Sequence, residues 1–195
     1  MGSPLSSLAP TEFILGGQKS GKSHRAEQLA AAWLDDPGHR AVFIATAQPW
    51  DAEMAERIAR HQRDRAERVP GMLTVEEPLL LAEAMAQHSR PNTLVVVDCL
   101  TLWLTNLRMP AGFKENQPPA HIPPAQVATF LEAISAAPGP LVLVGNEIGL
   151  GVIPMGRDVR AFVDALGTLN QQVAQRCQRV TLMAAGLPLT LKDLV

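Results

Sequence analysis

The sequence predicts an α/β fold in which a largely parallel sheet is flanked by helices. Three observations carry that expectation. Residues 16 to 23 read Gly16-Gly17-Gln18-Lys19-Ser20-Gly21-Lys22-Ser23, the G-x-x-x-x-G-K-[ST] pattern of a phosphate-binding loop. This loop sits between a short apolar strand pattern and a helical pattern, which is the context the motif needs. Beyond it the chain keeps alternating strand-like and helix-like segments, as parallel strands joined by crossover helices would. Together these describe a single P-loop nucleotide-binding domain.

The elements follow in order. Thr11 to Leu15 reads as a buried strand, and Ser23 to Leu34 as a helix with Ala26, Leu29, Ala30 and Trp33 at helical spacing. Ala41 to Thr46 is a second strand, and Asp51 to Arg68 a charged amphipathic helix. Met72 to Val75 is a short strand, and Pro78 opens a helix running to about His88. Leu94 to Asp98 is a continuous apolar strand ending in an acid, and Leu100 to Leu107 can be helical. Leu141 to Val144 is a further apolar strand, Asp158 to Arg176 a long helix, Val180 to Ala184 a late strand and Leu189 to Leu191 a short final one. Met109 to Pro124 is rich in proline and reads as a surface excursion. Residues 1–10 read as a flexible arm and residues 11–195 as the domain, with no repeat and no second boundary.

Composition narrows the function. At 195 residues, 47% hydrophobic and 18% charged, the chain can bury one sizeable core. A net charge of -2 offers no basic excess for nucleic acid or an anionic membrane. The most apolar stretch, Leu94 to Leu107, is too short to span a bilayer and is broken by Asp98. No signal-peptide pattern opens the chain, so the expected location is the cytoplasm. Cys99 and Cys177 make neither a C-x-x-C nor a metal spacing, and read as free thiols packed in the core.

The chemistry starts at the loop. Its glycines let backbone N–H groups turn toward phosphate oxygens, and the helix that follows adds its positive end. Lys22 can reach the β- and γ-phosphates, and Ser23 can hold Mg²⁺. Asp98, at the carboxyl end of an apolar strand, stands where a nucleotide fold places a carboxylate toward Mg²⁺. Its alternative role is a helix N-cap for Leu100 to Leu107. His61 shares a helix face with Met54 and Ile58. From spacing alone a histidine on an apolar stripe more often packs; the functional reading is a nucleophile whose neutral imidazole attacks the α-phosphorus of a nucleotide. His24, His39, His88 and His121 form no paired motif. Asn146 to Pro154 puts polar groups and glycines at a strand's carboxyl end, on the ligand face of an open sheet or as a plain loop. Arg157 and Arg160 read as phosphate binders or solvated charges.

Several segments, in order along nearly the whole chain, resemble the bifunctional adenosylcobinamide kinase/adenosylcobinamide-phosphate guanylyltransferase family of cobalamin biosynthesis. They are the phosphate loop with Ala26-Glu27; Ile44-Ala45-Thr46-Ala47 with Asp51, Glu53-Met54, Arg57-Ile58 and His61; Thr74 to Pro78; Val97 to Thr101 with Thr105 to Leu107; and Asn146 to Gly149 through Pro154 to Leu189. The resemblance implies that His61 takes GMP from GTP. It places Ala45, Thr46, Ala47, Gln62, Arg63, Asp64, Arg65, Glu76 and Asp98 near the guanine nucleotide. It implies phosphorylation of adenosylcobinamide by GTP or ATP, then GMP transfer to that phosphate, with Mg²⁺ held at Ser23 and Asp98. A homotrimer with the substrate near a subunit interface also follows from it. Asp98 stands where some relatives carry Glu, and Arg60 where some carry a second histidine. The competing readings are a P-loop kinase of another small alcohol, which has no use for His61, and a nucleotide-driven switch that makes no small-molecule product.

Overall fold

The computed structural model describes residues 8–109, 120 and 123–195. The elements are β1 (Thr11–Gly16), α1 (Lys22–Leu34), β2 (Arg40–Ala45), α2 (Ala52–Arg68), β3 (Leu73–Glu76), α3 (Leu81–His88), β4 (Thr93–Asp98), α4 (Leu100–Arg108), α5 (Pro124–Ala136), β5 (Leu141–Asn146), α6 (Arg157–Arg176), β6 (Arg179–Ala184) and β7 (Leu187–Asp193). They build a seven-stranded sheet in the order β3-β2-β4-β5-β1-β6-β7. All neighbours are parallel except β6 and β7, which form an antiparallel edge hairpin.

Strand alternation sends each central strand's side chains to two cores. Phe13, Leu15, Val42, Ile44, Val95, Val97, Leu141 and Leu143 point to one face, under residues of α3, α4, α5 and α6. Ile14, Phe43, Val96, Val142 and Val144 point to the other, under Ala26, Leu29 and Ala30 of α1. Burial on both faces is why these strands read as unbroken apolar runs. Trp103 of α4 is fully buried against Phe130 of α5, ring centroids 4.8 Å apart, and its indole N–H donates to Leu79 O at 3.0 Å. Cys99 and Cys177 are both buried free thiols, and burial pushes each up to about 12.

The structure departs from the sequence reading in three places. α5 is a full helix directly behind the proline-rich stretch: Pro124 occupies its first turn, where no N–H is needed. The helix expected from Pro78 begins at Leu81, because Glu77 Oε1 accepts the N–H groups of Leu79 (2.9 Å) and Leu80 (2.8 Å) and holds Pro78 in a turn. The final strand is seven residues, extended by pairing along β6. Residues 1–7 of the expected arm, and Pro110, Pro118, Pro119 and His121 of the proline-rich stretch, lie outside the described residues.

Candidate active site

The phosphate loop leaves β1 at Gly16, whose φ of +155° is open to glycine, and where a Cβ would stand 2.5 Å from both Met183 O and Ser20 Oγ. Gly21, at φ +101°, is the left-handed residue that launches α1. Lys22 is buried beneath the loop, and its Nζ donates to Gly17 O at 2.6 Å. Burial lowers the Lys22 pKa, opposed by the negative charge of Asp98.

Asp98 ends β4, and the Ser23 side chain stands beside its carboxylate. Desolvation pushes that carboxyl above its ordinary range, while Ser23 and the charges of Lys22, Arg65 and His61 pull it back. The N-cap of α4 is Cys99, so Asp98 is not the helix cap; it faces the phosphate loop. Thr46 fixes this junction. Its buried hydroxyl accepts from Cys99 N–H at 2.9 Å and donates to Cys99 O at 2.8 Å. Asn106 Nδ2 then donates to Thr46 O at 2.7 Å.

Helix α2 starts at Asp51, whose carboxylate accepts Met54 N–H at 2.7 Å. Only Arg65 of this helix is buried. Its guanidinium lies 3.8 Å over the Phe43 ring, and Nε reaches Thr74 Oγ1 at 3.3 Å. Arg68 pairs with Glu27 of α1 at 3.2 Å, and Gln62 donates to Glu76. These polar ties hold α2 beside α1, β2 and β3. The face carrying Met54, Ile58 and His61 therefore meets a cavity of about 340 Å³ and not the core. His61 is exposed into that cavity and makes no hydrogen bond among the described residues. Burial first, then Arg57 and Arg60, lower its pKa; Asp98 and Asp64 oppose them.

The cavity brings together Gln18, Lys19, Ser23, Ala45, Ala47, His61, Gln62, Arg65 and Asp98 of the predicted site. The backbone of Gly16, Gly17, Ser20 and Gly21 shapes the loop at its edge. Other predicted residues stand back from it. The Thr46 side chain is engaged at the strand junction, and Glu76 touches the wall only through Gln62. Arg63 borders a shallow outer hollow, and Asp64 pairs with Arg68 at 3.9 Å. Arg160 donates to Pro154 O at 2.9 Å and Met155 O at 2.5 Å, pinning the loop before α6. Phe43 and Leu102 also line the cavity, without a sequence signal that singled them out; so do Glu27 and Arg57, which the sequence marks only as members of the segments that resemble the family. A larger hollow of about 600 Å³, beside Thr11, Trp33, Gly139 and Gln178, lies at the opposite end of the strands and holds none of the predicted residues.

Among the described residues no group of three or more His, Cys, Asp or Glu side chains gathers to hold a metal. A hydroxyl and a carboxylate, Ser23 and Asp98, stand together beneath the loop, while Glu27, a second carboxylate of the lining, is paired with Arg68. The Ser23 and Asp98 pair is a fit for Mg²⁺ of the kind that completes its shell with phosphate oxygens and water. The arrangement can therefore grip a nucleotide's phosphates at one wall and present a neutral imidazole from the other.

The family model described as cobinamide kinase / cobinamide phosphate guanyltransferase matches residues 12–191. The chain belongs to this family. It is 45% identical over 181 residues to the bifunctional adenosylcobalamin biosynthesis protein CobP of Pseudomonas aeruginosa, covering 93% of this chain and 96% of that protein. It is 33% identical over 186 residues to the bifunctional protein CobU of Escherichia coli, covering 92% and 98%. Membership makes the chain an enzyme of nucleotide-dependent kinase and guanylyl transfer. No helix among the described residues is long and apolar enough to cross a membrane.

Proposed function

We propose that one nucleotide cavity serves both reactions on the corrinoid, and that His61 is the residue that carries GMP between them. The observation behind this is that His61 opens onto the same cavity as Lys19, Ser23 and Asp98. In the kinase step the loop amides and Lys22 hold the triphosphate of GTP or ATP, and the γ-phosphoryl group passes to the alcohol of adenosylcobinamide. Such transfer needs positioning and charge neutralisation more than covalent help. Ser23 and Asp98 would hold Mg²⁺, which would supply positive charge to the phosphates.

In the transfer step a ring nitrogen of neutral His61 attacks the α-phosphorus of GTP. The N–P bond forms as the bond from the α-phosphorus to its bridging oxygen breaks. Pyrophosphate leaves with that electron pair, and the other ring nitrogen sheds its proton. An oxygen of adenosylcobinamide phosphate then attacks the same phosphorus, the N–P bond breaks with its electron pair left on the ring, the ring takes a proton back, and neutral His61 is restored as adenosylcobinamide-GDP departs. The lowered His61 pKa supports this role, since it keeps the attacking nitrogen unprotonated at neutral pH. Gln62 and Arg65 would contact the nucleotide from α2, and Ala45 and Ala47 from the end of β2. Exposed Leu150, Val152, Ile153 and Met155, together with Leu187, Leu189 and Leu191 of β7, are apolar surface that a homotrimer would cover.

The test is to incubate the protein with adenosylcobinamide, Mg²⁺ and GTP and to separate the corrinoid products. Sequential appearance of the phosphate and the GDP conjugate is the expected result. A phosphate that never becomes the conjugate would reduce the chain to a kinase, and neither product from folded protein would overturn the proposal.

A further inference from the structure

Helix α2 carries five arginines, and four of them have visible work or face away. Arg65 covers Phe43, Arg68 pairs with Glu27, and Arg60 and Arg63 border the outer hollow. Arg57 differs. It lines the nucleotide cavity one helical turn before His61, on the same face. It forms no hydrogen bond or ion pair among the described residues, although Glu53 lies one turn away from it. A flexible guanidinium without a partner, beside a nucleophile and across the cavity from Lys19 and Ser23, is a donor fork without an acceptor.

The phosphate groups explain why a second cation is needed on this wall. Lys22 and the loop amides serve the outer phosphates. The α-phosphate must lie between the loop and His61, and its non-bridging oxygens face α2 during attack. We propose that Arg57 donates to those oxygens, holding the transferring phosphate while pyrophosphate leaves and while GMP remains on His61. This rests on the His61 reading above and adds the group that stabilises its transition state. It also gives Arg57 a second effect. The charges facing His61 are Arg57, Arg60 and Asp64 on α2 and Asp98 on β4, with Lys19, Glu27 and Arg65 elsewhere on the cavity wall. Arg57 is the foremost of the two cations that disfavour protonation of His61.

The test is single-turnover labelling with α-labelled GTP and Mg²⁺ at a series of pH values, on the wild type and on Arg57→Gln, Arg57→Lys and Arg60→Gln. Arg57→Gln should lower the plateau rate roughly 10²–10³-fold, the usual effect of removing one transition-state donor. Arg57→Lys should recover part of that rate. In Arg57→Gln, with the neighbouring cation gone, His61 protonates more readily, so the acid limb should move to higher pH; in Arg57→Lys it should stay. Arg60→Gln should keep the plateau. A wild-type plateau in Arg57→Gln, or an equal loss in Arg60→Gln, would overturn the assignment. Absence of label on wild-type protein would instead overturn the His61 reading beneath it.

Discussion

Replacing Thr46 by valine keeps the side chain's shape and removes one hydroxyl. That hydroxyl accepts the Cys99 N–H at 2.9 Å in a site closed to water. Cys99 O loses the same hydroxyl but keeps Trp103 N–H at 3.1 Å. One buried N–H is therefore orphaned, a cost of about 1–3 kcal/mol. For a chain of this length each kcal/mol is worth about 2–4 °C, so thermal unfolding should fall by roughly 2–12 °C. Thr46→Ser keeps the hydroxyl and loses a methyl group, a change of about 0.5–1.5 kcal/mol. Melting by circular dichroism compares the two. Because Asp98 precedes Cys99, the valine variant should also need more GTP for half-saturation. A valine variant that melts with the wild type would refute the reasoning, since packing and not the hydrogen bond would then hold the junction.

Other expectations follow from the same geometry. Lys22→Ala should reduce both the kinase and the guanylyl reactions by about 10²-fold or more, measured as corrinoid phosphate and corrinoid-GDP formed, because one cation serves the phosphates in each. The His61 pKa lies below its ordinary 6.5, so the neutral form persists further into acid; the labelling rate should reach half its plateau below pH 6.5, and a midpoint at or above 6.5 would contradict the joint effect of partial desolvation in the cavity and the neighbouring Arg57 and Arg60. Gly139→Ala places a Cβ 1.9 Å from Arg90 O, a clash with backbone that no rotamer relieves. It should cost about 1–3 kcal/mol or more in a urea titration, and an unchanged midpoint would show that the 137–140 turn can move.

The parallel sheet was legible because β1, β2, β4 and β5 are buried on both faces and so spell apolar runs. The phosphate loop was legible because its glycines meet backbone needs that other residues cannot. α5 is masked in the sequence although Val127, Phe130, Leu131 and Ile134 have helical spacing; the prolines ahead of it read as loop, yet Pro124 is compatible with a first turn. For His61, periodicity grouped it with Met54 and Ile58 correctly but could not say whether that face meets core or cavity. The answer depends on how few of α2's residues are buried, a property of packing and not of the stripe. Thr46 lies between two cavity residues in sequence, but strand alternation turns it away from Ala45 and Ala47, toward Cys99 and Asn106. Arg57 belongs to the segment from Glu53 to His61 that resembles the family, but its place at the cavity was not legible, since an arginine on a charged helix reads as solvated until its neighbours are known.

The most direct test of the central claim is the intact mass of the protein after incubation with GTP and Mg²⁺, compared with that of His61→Ala. The account predicts that the wild type gains one GMP through an acid-labile, alkali-stable bond, and that folded His61→Ala gains none. An unmodified wild type that still binds GTP, or a variant modified as fully as the wild type, would contradict it.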